Sequence, residues 1–533
     1  MNIAHRIRTQ ALNLPDKKAV VFGSSSYTFS EFEERSNQMA NYFVSIGITK
    51  GTRTLLFVKP CLDFSVITFA LFKVGAIPVL IDPGMGIKNL LKSVAQVKPE
   101  AMIAISIVHK IRTFIRAPFA TVKIKLSPEQ IASDMGVFPK TFEPVTVTME
   151  DFSAILFTSG GTGIPKGVEY THGILNAQTE ILQKLFSLTP NDTDLPGFPL
   201  FALFTLAMGM TSVIPDMDPT KPAQCDPAKL VKNILTHQVT FCAGSPAIWE
   251  RVGQYCVKNN IQLGSVKYIV MFGAPVRAEI HQLFRKVLPK GDTYTPYGAT
   301  ECLPVSLISG KEVLNKTAAL TDRGAGVCIG HAVPNAEIKI INISDIPETS
   351  LSELSPGTPG EIVVKGPMAT PSYFELPEET RKAKIHSDGK LWHRMGDIGY
   401  IDQEKRLWFL GRKAHRVPIK EQTLWPIEIE AIFNQHAEVK RSALVRFNDT
   451  PGLVIERRDG NMNMSPRFFS ELLELGKSHE RSQLIRDFWL SSALPVDIRH
   501  NIKIDRTKLS AMVTEGPSLC RKNLSRRWHA SST

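Results

Sequence analysis

Cysteine is sparse in this chain: seven in 533 residues, scattered, with no C-x-x-C pair. No zinc-finger spacing can be drawn from them, and each reads as a small buried hydrophobe. A membrane-length apolar run is also missing. The longest apolar stretch, Phe64 to Ile81, is broken by Lys73 and contains Gly75 and Pro78, which reads as a helix followed by a buried strand rather than a transmembrane segment. The first residues, MNIAHRIRTQALNLPDKK, lack the apolar core of a signal peptide, so the expected compartment is a reducing cytoplasm. Acidic residues are in deficit, 51 against 63 basic ones, for a net charge of +12. The basic excess is spread along the chain, with its densest cluster at Arg521-Lys522 and Arg526-Arg527. Neither a ribonucleoprotein motif nor aromatic-basic alternation accompanies it, so no nucleic-acid partner is expected. The charge serves solubility or draws anionic ligands. A Walker loop is absent too, because Gly476-Lys477-Ser478 has no glycine at the required upstream position.

What is present is an ordinary globular composition, 43% hydrophobic and 21% charged. The length is too great for one core and predicts roughly two to four structural units. Strand candidates at Thr54–Val58, Ile77–Ile81 and Ala101–Ile105 alternate with helix candidates at Asp63–Val74 and Ile87–Val97. The theme repeats with helices at Leu230–His237, Pro246–Asn259 and Arg277–Leu288 around strands at Thr240–Ala243 and Tyr268–Phe272. Such β-α order predicts an α/β fold with largely parallel sheets covered on both faces. After Gly324 the segments become shorter and β-rich, as in Glu337–Ile343 and Gly360–Lys365, and predict a β-subdomain. A basic stretch at Arg412–Lys420 then leads into a small α+β segment of about 120 residues, enough for a domain of its own. The last twenty residues read as a loosely ordered tail.

The richest stretch is DFSAILFTSGGTGIPKG, Asp151 to Gly167. An apolar strand delivers Thr158, Ser159, Gly160, Gly161, Thr162 and Gly163, followed by Lys166. Glycines let backbone N–H groups approach a polyphosphate, the hydroxyls add donors, and the lysine adds a point charge. Four more stretches bear on the same chemistry. Phe272-Gly273-Ala274-Pro275 could let a planar base lie against the backbone, or be a plain strand-to-helix turn. Tyr297-Gly298-Ala299-Thr300-Glu301 offers a carboxylate suited to magnesium, or an exposed loop acid. Asp397, in His393-Arg394-Met395-Gly396-Asp397, reads as an aspartate between strands that could accept both ribose hydroxyls, or as part of a hairpin turn. Gly411-Arg412-Lys413 places a guanidinium where the two units join.

In this order and at these separations the five stretches resemble the signature motifs of the adenylate-forming superfamily of acyl-CoA ligases, adenylation domains and luciferases, over nearly the whole chain. The resemblance implies a large N-terminal domain (residues 1–410) of βα-sandwich sheets with a β-subdomain, and a small mobile C-terminal lid (residues 411–533). It implies activation of a carboxylate with ATP and Mg2+. Thr158 to Lys166 would cradle phosphates, Gly273, Ala274, Pro275, Tyr297 and Gly298 would frame the adenine, Thr300 and Glu301 would meet phosphate and metal, and Asp397 and Arg412 would hold the ribose. The family's catalytic lysine matches Lys503, whose ammonium would stabilise charge developing between carboxylate and α-phosphate.

Departures from the common pattern narrow the resemblance. Ala202 stands where acyl-CoA ligases carry a histidine, Ala414 replaces the usual hinge acid, and Lys420-Glu421-Gln422-Thr423-Leu424-Trp425 replaces a glycine-rich turn and arginine of the thioester-stage site. Gly161 replaces a Ser or Thr of the phosphate loop, removing a hydroxyl donor worth about 0.5–1.5 kcal/mol. Ala202, Ala414 and Lys420–Trp425, with Ile81–Gly86, Pro199–Phe204, Gly411–Val417 and Pro495–Asn501, resemble the β-lactone synthetases of bacterial long-chain olefin biosynthesis, whereas Gly161 speaks for a silent protein of the same fold. The implied substrate is a long-chain 2-alkyl-3-hydroxyalkanoic acid, whose own 3-hydroxyl attacks the activated carbonyl. The nucleophile is tethered, so no second substrate need be brought in. A fatty acyl-CoA ligase, an acyl-AMP ligase loading a carrier protein, and a catalytically silent protein of the same fold remain as alternatives. The resemblance also admits an assembly with other olefin-pathway enzymes, and a homodimer.

Overall fold

The computed structural model describes residues 1–158, 165–346, 351–419, 422–447, 449–496, 504–515 and 520–523. Of the positions singled out above, Ser159, Gly160, Gly161, Thr162, Gly163, Lys420, Glu421, residues 497–501, Lys503, Arg526 and Arg527 lie outside the described residues.

Two sheets form the bulk of the molecule. In the first, strands Ile124–Leu126, Ala101–Ala104, Arg53–Phe57, Ile77–Ile81 and Phe152–Thr158 run parallel, and Lys166–Thr171 returns antiparallel at the edge. Its strands are nearly continuous apolar runs, as expected where helices cover both faces. Helix Leu62–Lys73, almost wholly buried, and helix Phe29–Ser45 pack together over it. The latter starts on a capping box: Thr28 Oγ1 accepts the Glu31 N–H at 3.2 Å, while the Glu31 carboxylate accepts the Thr28 N–H at 2.7 Å.

The second sheet holds fourteen strands and is two sheets fused edge to edge. One half is parallel through Tyr268–Met271, Phe241–Gly244 and Thr193–Pro196. The other is antiparallel through Val327–Ala332, Leu407–Arg412, Lys390–Ile401 and Gly360–Lys365. The expected β-subdomain is therefore continuous with the main sheet, joined by the pair Asp292–Ala299 and Cys302–Ser309. Beyond residue 416 a separate core, including Ile429, Phe433, Leu453, Phe468 and Phe488, sits under a sheet of Val439–Phe447, Thr450–Arg457, Asp487–Ser491 and Cys520–Asn523. Within the stretch read as a tail, the backbone of Cys520–Asn523 pairs antiparallel with Asp487–Ser491. Among the described residues no helix is long and apolar enough to cross a membrane.

The core holds titratable groups that make stability pH-dependent. Burial drives the His172 and His281 imidazoles down to about 4 from 6.5. Between those values the unfolded chain binds protons that the folded chain refuses, so stability is lost as pH falls from about 6.5 towards 4. Asp194, pushed up to about 7 by burial, acts in the opposite sense, because the folded chain then binds the extra proton. His281 packs under the second sheet, with Nδ1 2.7 Å from Thr293 Oγ1. Urea unfolding at pH 7 and pH 4.5 should therefore reveal a smaller acid loss in His281→Gln than in the wild type, by up to about 3 kcal/mol. Parallel pH profiles would refute this assignment.

Candidate active site

The carboxyl ends of the parallel strands and the antiparallel half of the large sheet enclose one cleft of about 2570 Å³. Ligands in open α/β sheets are bound at such strand ends. Lys166, Gly273, Ala274, Pro275, Tyr297, Gly298, Thr300, Glu301, Asp397 and Arg412 all line it. They come from five separate parts of the chain, between 166 and 412.

Lys166 opens the strand returning from the phosphate-loop segment and pairs in register with Thr158. Its ammonium donates to Glu379 Oε2 at 2.6 Å and sits 5.0 Å over the Tyr373 ring. Lys166, then Lys382, holds the Glu379 carboxyl below its usual range. A polyphosphate drawing on Lys166 must displace this carboxylate. The sequence reading missed Glu379, which is more than two hundred residues away and lies in an unremarkable helical run, Pro377–Ala383.

Thr300 and Glu301 form the tight connection between strands Asp292–Ala299 and Cys302–Ser309. Gly298 is required beside it: a Cβ there would lie 2.8 Å from both Cys302 O and Leu303 Cβ. The turn is pinned from several sides. Tyr170 donates its hydroxyl to Thr300 O at 2.6 Å, Thr370 donates N–H and Oγ1–H to Glu301 O at 2.9 and 3.0 Å, and Tyr373 donates its hydroxyl to Glu301 Oε1 at 2.7 Å. The Glu301 carboxylate is thus oriented rather than free to swing. Nearby, Lys384 is buried and donates to Thr370 O; burial lowers its ammonium to about 8.

Asp397 departs from its sequence reading. It lies inside the twelve-residue strand Lys390–Ile401, not between strands, directly across from Arg412. Its Oδ2 accepts the Tyr297 hydroxyl at 2.6 Å and its Oδ1 meets Arg412 Nη1 at 3.1 Å. Burial and this carboxylate hold the Tyr297 phenol well above its usual pKa. Arg412 also donates to Met395 O at 3.2 Å. Gly273, at φ +93°, occupies the left-handed region that glycine tolerates best, and the preceding Phe272 stacks on Phe201 with ring centroids 4.4 Å apart.

Part of the cleft wall is apolar, with Phe64, Leu185, Phe186, Phe204 and Met208 among its residues. Ala202 itself is 5% exposed and packs in the core, so its neighbours Phe201 and Leu203 shape the cleft wall. Trp425 is likewise buried, against Ile398 and Leu410. Neither residue presents the polar group that the common pattern would place there.

This arrangement defines a nucleotide-dependent ligase of the adenylate-forming fold, and the comparisons agree. The AMP-binding enzyme profile matches residues 7–374, and the chain belongs to that family. It is 39% identical over 525 residues to the olefin beta-lactone synthetase of Stenotrophomonas maltophilia, covering 94% of each chain. It is 40% identical over 548 residues to the olefin beta-lactone synthetase of Xanthomonas campestris, covering 96% of this chain and 97% of that one. Among solved structures the fold resembles ATP-bound MatB of Rhodopseudomonas palustris, with a TM-score of 0.79, 20% identity, and coverage of 96% of this chain and 98% of that one.

Proposed function

We propose that the chain is an AMP-forming β-lactone synthetase acting on a long-chain 2-alkyl-3-hydroxyalkanoic acid. The observation that carries this reading is the 39–40% identity to two olefin beta-lactone synthetases across more than nine-tenths of the chain. In the first step a carboxylate oxygen attacks the α-phosphorus of ATP and pyrophosphate leaves. In the second the 3-hydroxyl oxygen attacks the acyl carbon, its proton is lost, and AMP departs as the four-membered lactone closes. Both reacting groups of the second step belong to one molecule, so positioning replaces a bimolecular encounter.

In this reading Lys166 and the loop before it bind the phosphates, Thr300 assists them, and Gly273–Pro275, Tyr297 and Gly298 frame the base. Asp397 and Arg412 hold the ribose, and Lys503 stabilises the charge developing between the carboxylate and the α-phosphate in the first step. The oriented carboxylate of Glu301 suits magnesium, which commonly takes one or two protein carboxylates and fills its shell with phosphate oxygens and water. When bound, the ion would neutralise phosphate charge. Residues 1–410 form the main domain and 411–533 the lid, and the apolar part of the cleft accommodates the alkyl chains. A cytoplasmic enzyme working beside other olefin-pathway enzymes fits the same reading.

Incubation with ATP, magnesium and a long-chain 2-alkyl-3-hydroxy acid should release AMP and pyrophosphate and yield a lactone detectable by mass spectrometry. Acyl-CoA on addition of coenzyme A, with no lactone in its absence, would replace this reading by a fatty acyl-CoA ligase. Transfer to a phosphopantetheine arm would favour an acyl-AMP ligase, and absence of pyrophosphate exchange with every carboxylate would favour a silent protein.

A further inference from the structure

Helix Ser106–Phe114 is turned inside out relative to an ordinary surface helix. It buries none of its residues. Its polar side faces the protein: His109 Nε2 lies 2.9 Å from Leu126 O, and Arg112 Nε is shielded from solvent. Val108 packs inward, but the helix's other apolar residues face outward, with Ile107 56% exposed, Ile111 36% and Phe114 88%, and Ile115 36% exposed just beyond the helix end. Spacings of three and four place Ile107, Ile111 and Phe114 on one face. Single exposed apolar residues are ordinary; a stripe of them on one helix marks an interaction surface.

Between Glu100 and Glu129 the segment that carries the stripe has charge of one sign. Residues 101–128 contain Lys110, Arg112, Arg116, Lys123 and Lys125, and no Asp or Glu. Lys110, Arg116, Lys123 and Lys125 are exposed. The same helix also touches the cleft, since Ile105 and Val108 contribute to its wall. The outward stripe therefore begins one residue from a side chain that lines the candidate active site.

We propose that this helix docks the protein on an anionic membrane surface, with Ile107, Ile111 and Phe114 entering the headgroup boundary and the surrounding lysines and arginines meeting lipid phosphates. A basic helix with one apolar face is the form suited to lying in a bilayer interface. A protein partner could match the apolar stripe, but it would need a uniformly acidic rim; an anionic bilayer supplies that charge together with hydrocarbon. The surface rests on the helix and its charge alone. Its use in collecting a long-chain acid from the bilayer rests on the function proposed above.

The test is co-sedimentation of the full chain with vesicles of phosphatidylcholine alone and of phosphatidylcholine mixed with phosphatidylglycerol. Binding is expected to the mixed vesicles, weakened by salt and much lower on phosphatidylcholine alone. The double substitution Ile107→Asp and Phe114→Asp should lower the partition coefficient about tenfold or more. Lys110→Glu with Arg116→Glu should lower it as well, and serves as an independent probe should the first pair disturb folding. The proposal is overturned if the wild type stays in solution with mixed vesicles at low salt, or if both substituted proteins bind them as well as the wild type. It is also overturned if the substitutions change only the sedimentation velocity of the protein alone, which would make the face a contact between copies. Lactone assays are not part of this readout, so failure here and failure of the proposed function are distinguishable.

Discussion

Glu361→Ala is expected to cost about 3–5 kcal/mol of stability, the range for removing one partner of a buried ion pair. Glu361 is 1% exposed, and it receives two hydrogen bonds from Arg394, itself buried: Nε to Oε1 at 3.1 Å and Nη2 to Oε2 at 2.6 Å. Lys413 adds its ammonium at 3.2 Å from Oε2. Alanine would leave a guanidinium and an ammonium facing each other without their shared carboxylate. Lys413 could still use Ser344 O, at 2.8 Å, and Asp345, at 3.8 Å, whereas the hydrogen bonds Arg394 would keep among the described residues go to backbone carbonyls, including those of Ser344 and Ile346. Urea unfolding followed by tryptophan fluorescence is the measurement, with Trp392 two residues from Arg394 as a reporter. Glu361→Leu combined with Arg394→Leu should recover part of the loss, because an apolar pair removes the unpaired guanidinium. A change below about 0.5 kcal/mol for Glu361→Ala would mean that water reaches this site and the pair contributes little.

The network also has a place in the site. It anchors Lys413 to strand Gly360–Lys365, and Arg416 is anchored to Asp345 at 2.6 Å, so the chain on the far side of Arg412 is held against the antiparallel half of the large sheet. Gly411, at φ +138° with Pro426 Cδ 3.2 Å from where a Cβ would sit, leaves no easy room for a side chain at the junction. The position of Arg412 is fixed from both flanks.

The helices and strands are legible in the sequence where their signals are local. Helix Ile87–Val97 and strand Gly360–Lys365 match their predicted bounds, and Leu62–Lys73 differs from its expected range by one residue at each end. Long-range pairings carry no such local signal. Glu361, Arg394 and Lys413 are ordinary charged residues until the register between Gly360–Lys365 and Lys390–Ile401 brings two of them together. Lys166 and Glu379, or Glu301 and Tyr373, are joined only by tertiary folding. From sequence Asp397 reads as lying between strands or, with Gly396, as part of a hairpin turn. Pairing with Leu407–Arg412 instead holds both residues in one strand, with a register shift between Ile398 and Gly399. The outward stripe of Ser106–Phe114 is a different case: the apolar residues stand in the sequence, and which side faces the protein is decided by the sheet beneath.

Asp397→Ala is expected to lower kcat/KM for ATP by about 10²–10⁴, equivalent to the loss of two hydrogen bonds to a charged acceptor at about 1.5–3 kcal/mol each. The carboxylate is 4% exposed, yet it lines the cleft, and it is fixed by Tyr297 on one oxygen and Arg412 on the other. A diol entering this cleft would find an acceptor already oriented and desolvated, so little reorganisation opposes binding. Asp397→Asn should lose less, since an amide oxygen keeps one acceptor but not the charge that strengthens it. The ribose belongs to ATP, to the acyl-adenylate and to AMP alike, so AMP affinity measured by calorimetry should fall together with kcat/KM. A loss confined to kcat, with AMP binding intact, would remove Asp397 from ribose recognition and make it a support for Tyr297 and Arg412. A parallel fall of both quantities, with the melting temperature little changed, would assign the carboxylate to the nucleotide, because the Arg412 side chain it would abandon is half exposed and can be solvated by water.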